Sequence, residues 1–355
     1  MDLDRLRALL ADYPEAWLAP LLEAGLQSAD ETGLRLQLPI PCGRWAPVLA
    51  GQLARHLAPA FVASPRVEID WTVAAQPVQG ALKPLPGIKN IIAVASGKGG
   101  VGKSTVTANL ALALAAEGAS VGVLDADIYG PSQPQMLGVA GQRPQIIDNR
   151  AMRPVAAHGI VLNSIGLLID PGDPTIWRGP MVTQALQQLL AETQWPELDY
   201  LLIDLPPGTG DTQLSLAQRI PVSGAVIVTT PQEIALLDAR KGLRMFEKVG
   251  ISVLGIVENM AGHVCSHCGH LDEVFAAGGA ARLGAETGVP VLGALPLDGA
   301  IRAQADGGAP TVVAAPESEA ATRYLQIARR AAAELVRAGD ADFPEIVIET
   351  ESPPA

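Results

Sequence analysis

A run of apolar residues at 91–95 leads directly into Gly97-Lys98-Gly99-Gly100-Val101-Gly102-Lys103-Ser104, and a helical pattern begins at about Lys103. Strand, glycine loop and helix in that order mark a phosphate-binding loop, and few folds accommodate one. Gly97, Gly99, Gly100 and Gly102 are expected to let the backbone turn tightly, with its N–H groups aimed at phosphate oxygens. The helix N-terminus adds a dipole that favours anions. Lys103 is expected to neutralise the β- and γ-phosphates, the Ser104 hydroxyl to ligate Mg²⁺, and Thr105 to touch the α-phosphate. Val101 completes the cradle. A glycine-rich turn without a ligand is the bland alternative, and the full eight-residue pattern in this setting argues against it.

The rest of the chain supports a large α/β unit around that loop. Apolar runs at 91–95, 120–124, 161–165, 200–203, 225–228, 253–257 and 291–294 alternate with helical patterns. Continuous rather than alternating hydrophobicity fits strands buried on both faces of a mostly parallel sheet. The fold class is therefore α/β, a P-loop NTPase with helices covering the sheet, plus a small N-terminal α/β domain. The expected division is 1–76 for the small domain, 77–87 for a Pro/Gly-rich linker, 88–338 for the ATPase domain and 339–355 for an acidic tail. In the small domain, Leu3, Leu6, Leu9 and Leu10 have helical spacing, and 34–38 and 67–73 alternate as strands. A second helix is expected around Val48–Leu57 positions 48, 49, 53 and 57. The tail carries five acids and no base, and is expected to be disordered or loosely docked.

Charge narrows the partners. A formal net charge of −12 argues against nucleic acid and anionic membranes as main partners, since both require clustered Lys and Arg. No apolar run approaches the ~18–20 residues that span a bilayer. The first residues lack a signal-peptide pattern, so a cytoplasmic location is expected.

Two acidic strand ends belong with the loop. Asp125 and Asp127 close the second strand, and Asp204 closes the run at 200–203, at the carboxyl edge where open α/β sheets bind ligands. Asp127 is the candidate for positioning the attacking water and Asp125 for supporting Mg²⁺ or the loop. Asp204 is expected to hold Mg²⁺ through water, and the Pro206-Pro207-Gly208 turn to sense the γ-phosphate with the Gly208 amide. Lys98 is expected to leave the loop pointing away from its own helix, able to reach another molecule's phosphates. The bland reading is a solvated lysine.

The three cysteines are Cys42, Cys265 and Cys268. The last two form a Cys-x-x-Cys pair, a spacing that lets both sulfurs chelate one metal or one cluster edge. Two thiolates are half a tetrahedral site, so a metal ligand, a redox dithiol and spare buried thiols all remain open. Missing ligands could come from His263, His267, His270, distant Cys42 or a second chain. None of the three histidines is assigned as a ligand. Two pairs from two chains would make the four thiolates of a [4Fe–4S] cluster, and soft thiolate suits iron–sulfur.

These motifs resemble those of the Mrp/ApbC iron–sulfur cluster carriers within the deviant Walker A ATPases. The resemblance rests on residues 96–105, Asp125-Ala126-Asp127-Ile128-Tyr129-Gly130-Pro131-Ser132, Trp177-Arg178-Gly179-Pro180-Met181, residues 204–211, Val257-Glu258-Asn259-Met260 and the cysteine pair. It implies that the protein binds ATP, hydrolyses it slowly and carries a labile [4Fe–4S] cluster across a homodimer. Apo iron–sulfur proteins and cluster assembly scaffolds are the implied partners, with no nucleic acid and no membrane. In such ATPases the second loop lysine, here Lys98, contacts the nucleotide across the dimer interface. Asn259 would contact the adenine, and the turn at 295–298 would frame the base. Residues 1–76 resemble the MIP18-type domain more weakly; the usual cysteine string is absent, and Cys42 reads as a small core or loop residue. Two other readings remain: a positioning or partition ATPase, for which Arg323, Arg329, Arg330 and Arg337 could form a basic helix face, and a zinc-bridged ATPase dimer.

Overall fold

Two main sheets organise the chain. The computed structural model describes residues 3–340 except 81, 149, 170–178 and 266. The expectations for the acidic tail and for Trp177 and Arg178 therefore fall outside the described residues. The N-terminal elements are α1 (Leu3–Ala11), α2 (Ala19–Ala24), β1 (Leu26–Ala29), β2 (Gly33–Leu38), α3 (Ala46–Leu57) and β3 (Arg66–Trp71). β2 is central, antiparallel to β1 and parallel to β3. Strand alternation turns Leu34, Leu36 and Leu38 to one face, where they share an apolar cluster with Leu49, Leu53 and Leu57 of α3.

The large sheet begins with β4 (Ile88–Ala95), α4 (Lys103–Ala116), β5 (Val121–Asp125) and α5 (Gln133–Met136). β6 (Gln145–Ile147) and β7 (Ala151–Arg153) form a small hairpin beside it, followed by β8 (Val155–Ala157) and β9 (Ile160–Ser164). Next come α6 (Gly179–Glu192), β10 (Leu198–Asp204), α7 (Asp211–Arg219), β11 (Gly224–Thr229), α8 (Glu233–Lys248) and β12 (Val253–Glu258). A two-stranded hairpin, β13 (His263–Val264) and β14 (Leu271–Asp272), precedes α9 (Gly279–Thr287) and β15 (Val291–Ala294). α10 (Gly299–Asp306), α11 (Thr311–Ala314) and α12 (Glu319–Asp340) close the chain.

The eight-stranded sheet runs β15-β12-β11-β4-β10-β5-β9-β8, and only β8 is antiparallel to its neighbour. The chain passes from β4 to β5 across the position later filled by β10, while β11 lies on the other side of β4. Connections therefore diverge at β4, where ligands bind in open α/β sheets. β4 starts three residues earlier than the apolar run indicates, because buried Asn90 is satisfied by the Ala74 and Asp199 carbonyls and the Gln76 amide. α4 is apolar around its whole circumference, as befits a helix enclosed by the sheet and by α12.

The small unit is pinned to the C-terminal end of α4. The Glu117 carbonyl accepts from the Gly43 amide (2.9 Å), and its carboxylate accepts from the Trp45 amide (3.1 Å) and from Arg329 Nε (2.9 Å). The Arg329 guanidinium lies 4.7 Å from the Trp45 ring centroid, and Arg44 pairs with Glu317 at 2.7 Å. Cys42 is fully enclosed beside this junction, and burial pushes its thiol up to about 12, with Glu117 adding to the rise. It is a core residue.

The stretch 77–87, expected as a plain linker, is nonetheless tied down near its start. Gln79 is buried and its Nε2 donates to the Ala217 and Ile220 carbonyls at the end of α7 (2.7 and 2.6 Å). The arginines of α12 are also engaged within the chain. Arg323 and Arg330 donate to the Ala294 and Leu292 carbonyls of edge strand β15, Arg329 binds Glu117, and Arg337 pairs with Glu334. A basic face on this helix for membrane or DNA is thus not what those residues form. No helix among the described residues is long and apolar enough to cross a membrane.

Candidate functional site

Sheet register assembles the phosphate end of the site. Asp204 of β10 stands directly beside Asp125 of β5, and both carboxylates are fully buried. Two adjacent buried carboxylates repel each other and lose hydration, so at least one cation or proton must accompany them. Lys103, the first residue of α4, supplies the cation and forms an ion pair with Asp204 Oδ1 at 5% side-chain exposure. Asp204 Oδ1 also accepts from Thr107 Oγ1 (3.1 Å). Asp125 accepts from the Asp127 amide (3.2 Å), the Gln133 amide (3.1 Å) and Ser164 Oγ (3.1 Å). Burial raises the Asp125 pKa, with the Asp204 charge adding to the rise against these hydrogen bonds and Lys103. Asp127 is raised as well, chiefly by burial.

The loop itself departs in detail from the sequence reading. Only Gly100 and Gly102 take positive φ, at 81° and 82°, so these two make the turn. Gly97 is glycine for another reason: a Cβ there would lie 2.3 Å from the Asp238 carbonyl carbon of α8. Gly102 also admits Asn259, whose Nδ2 would be 2.2 Å from an added Cβ and which donates to the Val101 carbonyl at 2.9 Å. Ser104 Oγ accepts from Lys103 Nζ at 3.2 Å, and Thr105 follows in the first turn of α4. Lys98 does not stand clear of its own chain. Its ammonium donates to Gln232 Oε1 at 3.2 Å, because residue 232 precedes α8, which packs against the loop. The Gly208 amide, expected as a γ-phosphate sensor, donates to the Ser96 carbonyl at 2.9 Å.

The residues fit a nucleotide with Mg²⁺. A helix N-terminus, a buried lysine, a hydroxyl and two buried carboxylates converge at the carboxyl ends of β4, β5 and β10. Oxygen donors of this kind suit a hard cation. One more residue sits among them that the motif reading missed. Gln133 is fully buried and its Nε2 donates to the Ser104 carbonyl and to Asp204 Oδ2, both at 2.9 Å. Its sequence signal was faint: it directly follows the Tyr129-Gly130-Pro131-Ser132 element.

The cysteines lie on the β13–β14 hairpin. The Cys265 amide donates to the His270 carbonyl (2.9 Å), and the Gly269 amide to the Cys265 carbonyl (2.8 Å), which brings Gly269 and His270 back against Cys265. Cys265 is partly exposed and Cys268 exposed. The Cys268 backbone N–H, with that of His267, holds the Cys265 thiol pKa below the ordinary thiol value. His263 turns inward instead, its Nδ1 3.0 Å from the Leu297 carbonyl. Among the described residues no three His, Cys, Asp or Glu side chains gather into a metal site, so each chain supplies at most this pair there. Val264, Leu271 and Val274 are exposed near the thiols. Between the hairpin stem and residues 295–298 lies a cavity of about 610 Å³, bordered also by Thr311 and Arg323.

A central parallel strand, its glycine loop and the acids at neighbouring strand ends define a P-loop NTPase. Structural neighbours agree. A nucleotide-binding protein from Archaeoglobus fulgidus, solved in complex with ADP and with Co, superposes with a TM-score of 0.55 at 40% identity, covering 62% of this chain and 87% of that one. The cell division ATPase MinD of Pyrococcus furiosus gives 0.51 at 26% identity, covering 68% and 97%.

Within that class the chain belongs to the ParA-type family described as NUBPL iron-transfer P-loop NTPases, whose model matches residues 87–332. An iron–sulfur cluster carrier protein of Pseudomonas fragi is 58% identical over 268 residues, 75% of this chain and 93% of its own. One from Haemophilus influenzae is 52% identical over 329 residues, 90% and 87% of the two chains. The iron–sulfur cluster transfer protein NUBPL of Mus musculus is 51% identical over 248 residues, 69% and 77%.

Proposed function

We propose that this protein is an ATP-dependent iron–sulfur cluster carrier. It holds a labile [4Fe–4S] cluster between two copies of itself and passes it to apo-proteins. The observation that carries this reading is the exposed half-set of thiolates on a chain whose family is named for iron transfer. Cys265 and Cys268 bind the cluster as cargo, and the same pair from a second copy completes four ligands. Exposed Val264, Leu271 and Val274 are then covered by that copy.

The nucleotide end works by exchange of partners. With nucleotide bound, Lys103 would exchange Asp204 for the β- and γ-phosphates, and Ser104 and Asp204 would hold Mg²⁺, with Asp125 in support. Mg²⁺ supplies charge neutralisation at the transferring phosphoryl group. Asp127 orients the attacking water. Lys98, held by one bond to a neutral amide, switches to the nucleotide of the second copy. Asn259 and the turn at 295–298 receive the adenine.

Anaerobic reconstitution tests the proposal. Parent protein should take up four irons per dimer, while Cys265→Ala and Cys268→Ala should retain none and still bind ATP. Full iron in Cys268→Ala overturns it, and colourless zinc-loaded parent protein favours a zinc-bridged dimer instead.

A further inference from the structure

Gln133 has no part in the scheme above, and its environment assigns it one. Both hydrogens of its amide nitrogen are committed, to the Ser104 carbonyl and to Asp204 Oδ2. Turning the amide over would set its oxygen against those two acceptors, so the orientation is fixed by chemistry. Its backbone amide is committed as well, to Asp125 Oδ2. One residue thus bridges the first turn of α4 and the ends of β5 and β10.

The remaining atom is the informative one. Gln133 Oε1 is buried and no group among the described residues donates to it. An unsatisfied buried carbonyl is destabilising, so such atoms mark either strain or a partner that arrives with a ligand. The two groups that hold its amide nitrogen, a carbonyl and a carboxylate, are acceptors, and the nearby Lys103 ammonium is paired with Asp204. A fully hydrated hard cation brings strongly donating water, and Mg²⁺ retains several waters when bound.

We propose that Gln133 is a positioning residue for Mg²⁺ at the nucleotide site. Its Nε2 aims the Asp204 carboxylate, and its Oε1 accepts a hydrogen bond from water in the metal's shell. This inference rests on the Mg²⁺–nucleotide reading of the site. Partners of this kind, one step removed from the metal, typically change its affinity ~10–100-fold when lost.

The test compares ADP binding without metal and across a Mg²⁺ titration, by calorimetry on the full chain, for the parent and Gln133→Met. Methionine keeps the length and removes both polar ends. Metal-free ADP affinity should stay within about twofold of the parent, and the Mg²⁺ midpoint should rise ~10-fold or more. Water-proton relaxation with Mn²⁺ in place of Mg²⁺ should show the same weakening. An unchanged metal midpoint overturns the proposal. So does an equal loss of metal-free and metal-dependent binding, which would make Gln133 a plain support for the loop. If Gln133→Met does not fold, Gln133→Asn, polar but too short to reach Asp204, is read by the same criteria. A parent whose ADP affinity ignores Mg²⁺ refutes the site reading itself, which separates the two failures.

Discussion

The phosphate cradle and the cysteine hairpin lie on the same chain and are built on opposite principles. In the cradle, Lys103, Asp125, Gln133 and Asp204 are each no more than 5% exposed and bind one another. In the hairpin, two-residue strands carry an exposed Cys268 and exposed apolar neighbours, and its thiols have no third ligand among the described residues. The cradle stores its charges against each other until a ligand offers better partners. The hairpin has little to reorganise and waits for a group from outside. On the proposed reading, a site that discriminates and hydrolyses benefits from preorganisation, and a site that surrenders its cargo benefits from being shallow and half complete.

The sharpest way to break this contrast is to remove one charge from the cradle. Lys103→Met leaves Asp204 buried beside Asp125 with no cation, and we expect a loss of ~3–5 kcal/mol in urea unfolding. A loss below ~1 kcal/mol would mean the cradle is not internally balanced. Next, Gly97→Ala forces a methyl into the α8 backbone at Asp238, and overpacking should cost ~1–3 kcal/mol. A thermal midpoint equal to the parent's would show that the loop floor yields. On the other side, Cys265→Ser and Cys268→Ser should shift stability by less than ~0.5 kcal/mol while iron retention disappears. The smallest signal is chemical. Cys265, with its pKa held below the ordinary thiol value, should alkylate near neutral pH at a rate that rises with pH and levels off earlier than a free thiol's. Cys42, enclosed and pushed up to about 12, should react only after unfolding. Mass mapping after brief alkylation checks both, and rapid native labelling of Cys42 would contradict its burial.

Much of the cradle was legible because its parts repeat a spacing rule. The glycine loop, the two acid-terminated strands and the helix start all follow from local pattern, and each expected strand of the large sheet is present with its ends shifted by up to three residues. The shifts have physical causes. Asn90 hides inside β4 because the preceding segment satisfies its amide. The three-residue strands β6, β7 and β8 are too short for any period to register. Gln133 escaped because a glutamine carries no motif; only its three simultaneous partners reveal it. The present partners of Lys98 and Gly208 were equally hidden, since Gln232 and Ser96 reach them through tertiary packing. In the hairpin the spacing allows a shared ligand, and among the described residues no third His, Cys, Asp or Glu side chain gathers with the pair.

The junction at Glu117 has a consequence for how the molecule comes apart. One carboxylate serves a backbone amide from the first seventy residues and a guanidinium from the last helix, at the foot of the helix that carries Lys103. Pulling the leading sheet away would take the Trp45 amide from that acid and strip the arginine of its indole cover, opening the Glu117–Arg329 pair to water. The two lobes should therefore melt together in a single calorimetric peak, and a shortened chain starting at the phosphate strand should keep the Glu117–Arg329 pair while losing the cover that shields it.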